Sequence, residues 1–403
     1  MSDKFAPTDA AARFFARLFR VGLSLGALGM AASIVGALIQ PALFFRAWLY
    51  GMQFWLGMSL GCIAILMMHY LMGGAWGVAT RRLFEAGART MPLLALLFIP
   101  LLFGLPSLYP WARPADVAGD PVLLHNAAYL NSSFFTLRAV LYFLIWSAFA
   151  IFLGRWSRQQ DITTDSSPTR KMEALSGPGL VLLIVSGSFA WMDWLMSLEP
   201  HWYSSIYPIM VLAGQGLSSM AFGVIIAVAV SDDAELAPVL TPARFHDLGT
   251  LLFTFVFFWA YLCYAQFIII WSGNLTHEIP WYLARTVGGW STVTMSLFVL
   301  AFAIPFFLLL FRHVKRDRHA LRRVALLCLV MQMVNAYWLS AAPFQTAGPE
   351  FHWQYPAALL GIGGLWLAAY AWLAHRQPLL PVRAPGYPDV RPQSIVTVVA
   401  GGE

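Results

Sequence analysis

Residues 45–71 read FRAWLYGMQFWLGMSLGCIAILMMHYL, and only Arg46 and His69, close to the two ends, are ionisable groups of the kind that lipid excludes. The hydrocarbon core of a bilayer is about 30 Å thick and needs roughly 20 apolar residues of helix to cross it. Because lipid offers the backbone no hydrogen-bond partner, every N–H and C=O must be paired within the segment, as they are in a helix. The stretch therefore predicts a transmembrane helix.

Similar apolar segments fill most of the 403 residues. The predicted spans lie at 21–40, 45–71, 88–106, 133–155, 177–198, 206–230, 246–272, 284–312, 322–341 and 354–375. The chain is 59% hydrophobic and 11% charged, with a mean hydropathy of +0.67, well outside the range of soluble domains. The sequence therefore predicts an all-α integral membrane protein of about ten transmembrane helices.

The order of the spans permits a division into two halves. Spans two to five and spans six to nine would start on the same side of the membrane, which permits two parallel four-helix bundles at about 45–198 and 206–341. The first and last spans would flank them within a membrane domain at 21–376. Residues 1–20 lack the apolar core and small-residue cleavage site of a signal peptide, so we expect a retained, cytoplasmic N-terminal segment.

Three longer polar stretches interrupt or follow the spans. An outer loop at 107–132 is rich in proline and suits a docking surface. The inner stretch 156–176 reads as a flexible link between the halves. The tail 377–403 is rich in proline and is predicted to be extended on the cytoplasmic side.

Basic residues are unevenly divided between the two ends of the predicted helices. With a cytoplasmic N-terminus, 21 of the 25 Lys and Arg residues lie on the cytoplasmic side, and the exceptions are Arg46, Arg113, Arg138 and Arg285. The positive-inside rule predicts this asymmetry when both termini are cytoplasmic. We therefore interpret the net charge of +6 as a topology signal and not as a nucleic-acid-binding surface.

Span seven carries a polar stripe on an otherwise apolar, aromatic helix. Its members are Asp247, Thr250, Thr254, Tyr261 and Tyr264, at helical spacings that place them on one side of the helix. The stripe covers about 25 Å at 1.5 Å per residue. Such groups could relay protons where water fills the gaps, or could serve a quinone. The alternative is that the hydroxyls only bond neighbouring helices.

Three further ionisable residues are candidates for a proton pathway. Asp193 lies near the outer end of span five, where a carboxylate is costly unless it is paired or hydrated, and it could equally be a structural hydrogen-bond anchor. His69 closes span two near the cytoplasm and could exchange protons near neutral pH, or be merely solvated. Glu278 lies in the outer loop after span seven. The predicted partners of Asp193 are Gln215, Ser218, Ser219, Gln332 and Asn335.

The sequence predicts no covalently bound cofactor and no metal in this chain. The three cysteines, Cys62, Cys263 and Cys328, lie far apart within spans and form no haem-attachment or iron–sulfur spacing. The outer-loop histidines and carboxylates share no tight ligand spacing. Tryptophan and tyrosine near span ends are typical of an aromatic belt, and clefts between such rings would also suit a quinone or a lipid.

Four stretches closely resemble one protein family. They read GMSLGCIAILMMHYLMGGAWG…RRLFEAGART (57–90), LLFGLPSLYPWA (101–112), FAWMDWLMSLEPHWYSSIY (189–207) and FHDLGTLLFTFVFFWAYLCYAQFIIIWSGN (245–274). They resemble the F subunit of alternative complex III, a bacterial quinol:cytochrome c oxidoreductase. That subunit is itself similar to the NrfD and polysulfide-reductase membrane proteins. The resemblance spans nearly all ten helices, and its DWLMSLEPHW and HDLG…FWAY…AQF…IW strings are specific.

The resemblance implies ten helices, arranged as two four-helix bundles plus two, in a bacterial inner membrane. It implies partners that hold the redox centres: a sister quinone-binding subunit, an iron–sulfur protein, multihaem and monohaem cytochromes c, and often a haem–copper oxidase. The F subunit of that family is proposed to carry a proton pathway, whereas quinol oxidation is placed in the sister subunit.

Single residues of this chain can be matched to the family pattern. The matching positions are Asp193, Glu199, His201, His246, Asp247, Tyr261 and Gln266. After Asn274 the family tends to read I-P-E-E-T, whereas this chain reads LTHEI, so that only the second acidic residue is retained, as Glu278.

Two other classes of function stay open at the level of sequence. One is an NrfD-type, quinone-binding membrane anchor of another molybdopterin or iron–sulfur oxidoreductase. The other is a secondary transporter, although no pair of Gly- or Pro-broken spans occupies corresponding positions in the two halves.

Overall fold

The computed structural model describes residues 9–163 and 165–381 and confirms an all-α, multi-pass integral membrane protein. Those residues contain no strand and ten helices that are long and apolar enough to cross a bilayer. We label them α1 (Ala10–Ile39), α2 (Pro41–Met72), α3 (Ala75–Phe103), α4 (Ser132–Ile162), α5 (Ser167–Leu198), α6 (Tyr207–Ala229), α7 (Pro242–Gly273), α8 (Trp290–Leu310), α9 (Arg318–Phe344) and α10 (Gln354–His375). Residues 1–8 of the predicted N-terminal segment and residues 382–403 of the predicted tail lie outside the described residues.

The predicted ends of several helices are wrong where polar residues lie inside a helix. α1 extends into the predicted polar segment 1–20, because Ala11 and Phe15 are buried against the protein. α3 starts at Ala75 and not near residue 88. The predicted link at 156–176 is helical for most of its length, since α4 continues to Ile162 and α5 starts at Ser167.

Two helices occupy the centre of the molecule. α2 and α6 are the most buried spans, and they contact each other along their lengths. α2 also contacts α3, α4 and α5, and these four helices form a first bundle. α6 contacts α7 and α9, and α8 packs on α7 and α9 to complete a second bundle. The interface between the bundles therefore consists mainly of α2 and α6.

α1 is held to the protein mainly by α10, through a glycine seam made of Gly22, Gly26, Gly29, Gly361 and Gly364. A Cβ atom on Gly364 would lie 2.1 Å from the backbone nitrogen of Gly26, and one on Gly29 would lie 2.3 Å from that of Gly361. Small residues at such an interface let two helix backbones approach closely in lipid. The opposite side of α1 is exposed.

The structure shows how basic residues are accommodated at the end of the bundles that the sequence predicts to be outside. Arg138 pairs with Asp193, and Arg285 pairs with Glu199. The guanidinium of Arg46 lies 4.5 Å from the ring centroid of Phe344. These three charges are therefore engaged within the protein. The other end of the bundles, which we call the basic end, holds most of the Lys and Arg residues.

We expect the basic end to be cytoplasmic, because the positive-inside rule acts on the basic residues near the helix ends. Reporter fusions after Arg170 and Arg318 should report the cytoplasm, and a fusion after Pro114 should report the opposite side. A periplasmic signal from the fusion at Arg318 would contradict this topology.

Candidate functional site

A cluster of deeply buried charges lies between α3 and α4, towards the basic end. Oε2 of Glu85 accepts from Arg82 at 2.8 Å, and Oε1 accepts from the Ser157 hydroxyl at 2.5 Å. Arg81 Nε lies 3.1 Å from the same Oε1. Arg82 also pairs with Asp161. Glu85, Arg81 and Arg82 are each at most 2% exposed. We call these five residues the Glu85 cluster.

Sequence reasoning missed the Glu85 cluster, because RRLFE lies at the edge of an apolar run and resembles a charged boundary. The spacing did contain a signal. Arg81 and Arg82 stand four and three residues before Glu85, and side chains at these spacings meet on one side of a helix. Burial of so many charges is costly unless they are paired. Here Arg81 and Arg82 both pair with Glu85, and Arg82 also pairs with Asp161.

A second buried ion pair lies at the other end of the same bundle, between α4 and α5. Arg138 donates to both carboxylate oxygens of Asp193, at 2.8 and 2.9 Å, and the Tyr142 hydroxyl donates to the same carboxylate at 2.9 Å. The Arg138 guanidinium also lies 3.9 Å from the ring centroid of Tyr129. Asp193 is 1% exposed. We call these residues the Asp193 cluster.

The predicted partners of Asp193 on α6 and α9 are wrong. Asp193 lies on the side of α5 that faces α4, within the first bundle, so that its partners are Arg138 and Tyr142. Helix spacing gives the face on which a residue lies but not the neighbour that this face meets. Gln215, Ser218, Gln332 and Asn335 instead line a cavity of their own.

One buried face of α4 runs between the two clusters. It carries Arg138, Tyr142 and Trp146 in its outer half and Ser157 in its inner half, all buried. The Trp146 indole donates to the Ser186 hydroxyl at 3.0 Å. Between these polar groups the face is apolar around Leu153. From Arg138 to Asp161 the helix covers about 35 Å, so the two clusters lie at opposite ends of one bundle and are separated by an apolar layer.

The polar stripe of span seven lies on α7, on the outside of the second bundle. Tyr261 and Tyr264 are 57% and 64% exposed. The hydroxyls of Thr250 and Thr254 donate to backbone oxygens one turn earlier, at 2.9 and 3.0 Å. Asp247 pairs with the neighbouring Arg244 at the surface. The structure does not bring the stripe together with either buried cluster, and a proton-carrying role for it stays a prediction.

The remaining candidates lie apart from one another. His69 is buried beneath the start of α3, and a Cβ atom on Gly77 would lie 1.9 Å from its Nδ1. It is therefore packed and not solvated as an interfacial histidine would be. Glu278 is half-buried in the turn before a short helix, Ile279–Ala284, at the outer end of α7.

A large cavity of about 740 Å³ lies between α7 and α8 on the membrane-facing side. Its lining is mostly aromatic and aliphatic and includes Tyr261, Tyr264, Trp259 and Tyr282. The π-helical turn of α8, Leu297–Ala303, contributes three of the side chains that line the cavity, Leu297, Phe298 and Phe302. A lining of this kind favours an apolar molecule over a polar one.

Comparison with known proteins gives no independent assignment, since no family model and no curated protein matches this sequence. Within the described ranges, no three His, Cys, Asp or Glu side chains come together as a metal site requires.

Proposed function

We propose that this chain is a non-haem membrane subunit of a bacterial quinol:cytochrome c oxidoreductase of the alternative complex III type. In this proposal it lies in the inner membrane, and its first bundle contributes a proton pathway beside a sister subunit that oxidises quinol. The observation that carries the proposal is the pair of buried ionic clusters at opposite ends of one bundle. Ionisable residues within a membrane span are costly, and a functional role is the default hypothesis for them.

The sequence strings that resemble the family also supply these clusters. RRLFEAGART provides Arg81, Arg82 and Glu85, and FAWMDWLMSLEPHW provides Asp193. The resemblance and the buried charges therefore depend on the same residues, and this agreement supports the proposal.

The geometry suggests how the bundle would handle a proton. At the outer end a proton reaching Asp193 must compete with Arg138, whose guanidinium donates to both carboxylate oxygens. At the inner end Glu85 is held in the same way by Arg81 and Arg82. The apolar layer around Leu153 interrupts any fixed hydrogen-bond chain. Transfer would thus require the ion pairs to loosen and water to enter during turnover.

The proposed partners hold all redox centres. They are the sister quinone-binding subunit, an iron–sulfur protein and cytochromes c, with a haem–copper oxidase in some complexes. The membrane-facing cavity between α7 and α8 would take a lipid or quinone chain.

Because the proposed partners carry c-type haem, purification from the native membrane should yield this chain together with c-type haem. Its recovery with a molybdopterin enzyme, or alone as an active transporter, would favour one of the alternatives.

The proton pathway can be tested at the Asp193 cluster. Asp193→Asn alone leaves the charge of Arg138 buried and unpaired, so the informative variant is the double change Arg138→Gln with Asp193→Asn, which removes both charges. We expect the double variant to assemble normally but to lose proton release coupled to quinol oxidation roughly tenfold or more, because a positioned proton-transfer group contributes at least that much. The measurement is proton release in reconstituted vesicles, with haem content as the assembly control.

A matched control is available at the same end of the molecule. Glu199 and Arg285 form an ion pair outside the first bundle, and its double replacement by Gln should leave coupling near the parent value. If the Arg138/Asp193 double variant also keeps parental turnover and proton release, the ion pair is only structural.

A further inference from the structure

A small cavity lies between the two bundles, far from both ends of the helices. It is bounded by α2, α6 and α9, and its polar lining consists of Gln53, Gln215, Ser218, Gln332 and Asn335. Each of these residues is at most 7% exposed. Gln215 lies about 12 Å along α6 from its first residue. We call this space the seam cavity.

The hydrogen bonds around the seam cavity leave several strong groups unpaired. Asn335 donates to Oε1 of Gln332 at 3.1 Å, and Ser218 donates to the backbone oxygen of Gly214 at 2.8 Å. Within the part of the chain that the structure describes, Oε1 of Gln53, both amide atoms of Gln215 and Nε2 of Gln332 have no partner. Such groups are costly in an apolar interior unless they form a hydrogen bond, and at this depth lipid cannot supply one.

We infer that the seam cavity binds a water molecule that hydrogen-bonds across α2, α6 and α9. Its volume is about 20 Å³, and a single buried water needs about 10–15 Å³ and two to four polar partners. Water both donates and accepts, so it can serve the acceptor Gln53 Oε1 and the donor Gln332 Nε2 together. It can also bond Gln215 whichever way that amide is turned.

Glycine residues shape this site. A Cβ atom on Gly57 of α2 would lie 2.4 Å from Cγ of Gln215, so glycine there lets the amide lie flat against the facing helix. A Cβ atom on Gly214 would lie 2.8 Å from Oε1 of Gln332 and 3.4 Å from Nε1 of Trp259. Trp259 also lines the membrane-facing cavity. Its indole therefore lies close to both cavities.

The water links α2 of the first bundle to α6 and α9 of the second. This inference goes beyond the proposed redox function and does not depend on it, since it rests only on buried amides and a cavity of matching size. A monovalent cation suits the site less well, because a cation would leave the donor Nε2 of Gln332 unpaired.

The sign of one stability change tests the inference. Gln215→Met keeps the length of the side chain but removes its polar atoms. With a bound water, the change breaks hydrogen bonds to that water, and we expect Tm of the purified protein in nanodiscs to fall by about 2 °C or more. In a dry cavity the change would remove a costly unpaired amide, and Tm would rise. Leu217→Met, at a fully buried position on the same helix, controls for tolerance of Met.

A density map of the protein or its complex at about 2 Å resolution provides the second measurement. A water peak within hydrogen-bond distance of Gln53, Gln215 and Gln332 is the expected result. No peak, or a rise in Tm for Gln215→Met, would overturn the inference. Stabilisation of the parent by Na⁺ over choline that disappears in Gln215→Met would also overturn it, in favour of a cation.

Discussion

Replacing Glu85 with Ala should destabilise the folded protein by about 3–5 kcal/mol, because it leaves two arginine charges buried without their shared partner. Glu85 is 1% exposed and bonds Arg81, Arg82 and Ser157 at once. The loss should appear as a large fall in Tm of the detergent-purified chain and in the yield of monodisperse protein.

The matched control is an ion pair at the surface. Arg113 and Asp116 pair with 43% of each side chain exposed, and exposed pairs contribute about 0–1 kcal/mol. Asp116→Ala should therefore change Tm little. If Glu85→Ala and Asp116→Ala were equally mild, then water must reach the Glu85 cluster, and its description as a dry ionic network would be wrong.

The second large effect is expected at the glycine seam. Gly364→Val places a branched side chain where the backbone of α1 now lies, since even a Cβ atom would be 2.1 Å from the nitrogen of Gly26. A backbone cannot yield as a flexible side chain can, so we expect α1 to separate from α10 while the two bundles stay folded.

Reactivity of a buried cysteine can measure this separation. Phe15 of α1 is fully buried, and its ring lies 6.5 Å from that of Tyr370 in α10, centroid to centroid. In a Phe15→Cys background, the thiol should resist a maleimide, and adding Gly364→Val should make it reactive, as read at that position by mass spectrometry. Gly177→Val is the control, because the nearest atom to a Cβ there is a side-chain carbon 4.0 Å away. A thiol that stays unreactive with Gly364→Val would show that the seam does not hold α1.

Long apolar runs made the fold class predictable. The last predicted span, 354–375, coincides with α10, because uncharged residues fill it and polar ones bound it. The start of α3 could not be predicted in this way. Its charges are tolerated only because Arg82 and Glu85 pair with each other and bond to residues of α4 in the folded bundle. A hydropathy average does not include that pairing.

The candidate site was predictable only in part, for a similar reason. Asp193 is conspicuous in sequence because a carboxylate within a span needs a partner. Its partner, Arg138, is 55 positions earlier and looked like an ordinary flanking charge. The stripe on α7 shows the converse limit. Periodicity correctly places Tyr261 and Tyr264 on one side of the helix, but it cannot tell whether that side faces another helix or the outside.

The pairing of α1 with α10 also sets the order in which the molecule can be completed. Gly26 is synthesised more than 300 residues before Gly364, a delay on the order of tens of seconds at typical rates of translation. During that interval the glycine face of α1 has no matching surface within its own chain. The newly inserted helix must therefore wait in the bilayer or against the insertion machinery. Its pairing with α10 can form only after the chain has been synthesised as far as α10.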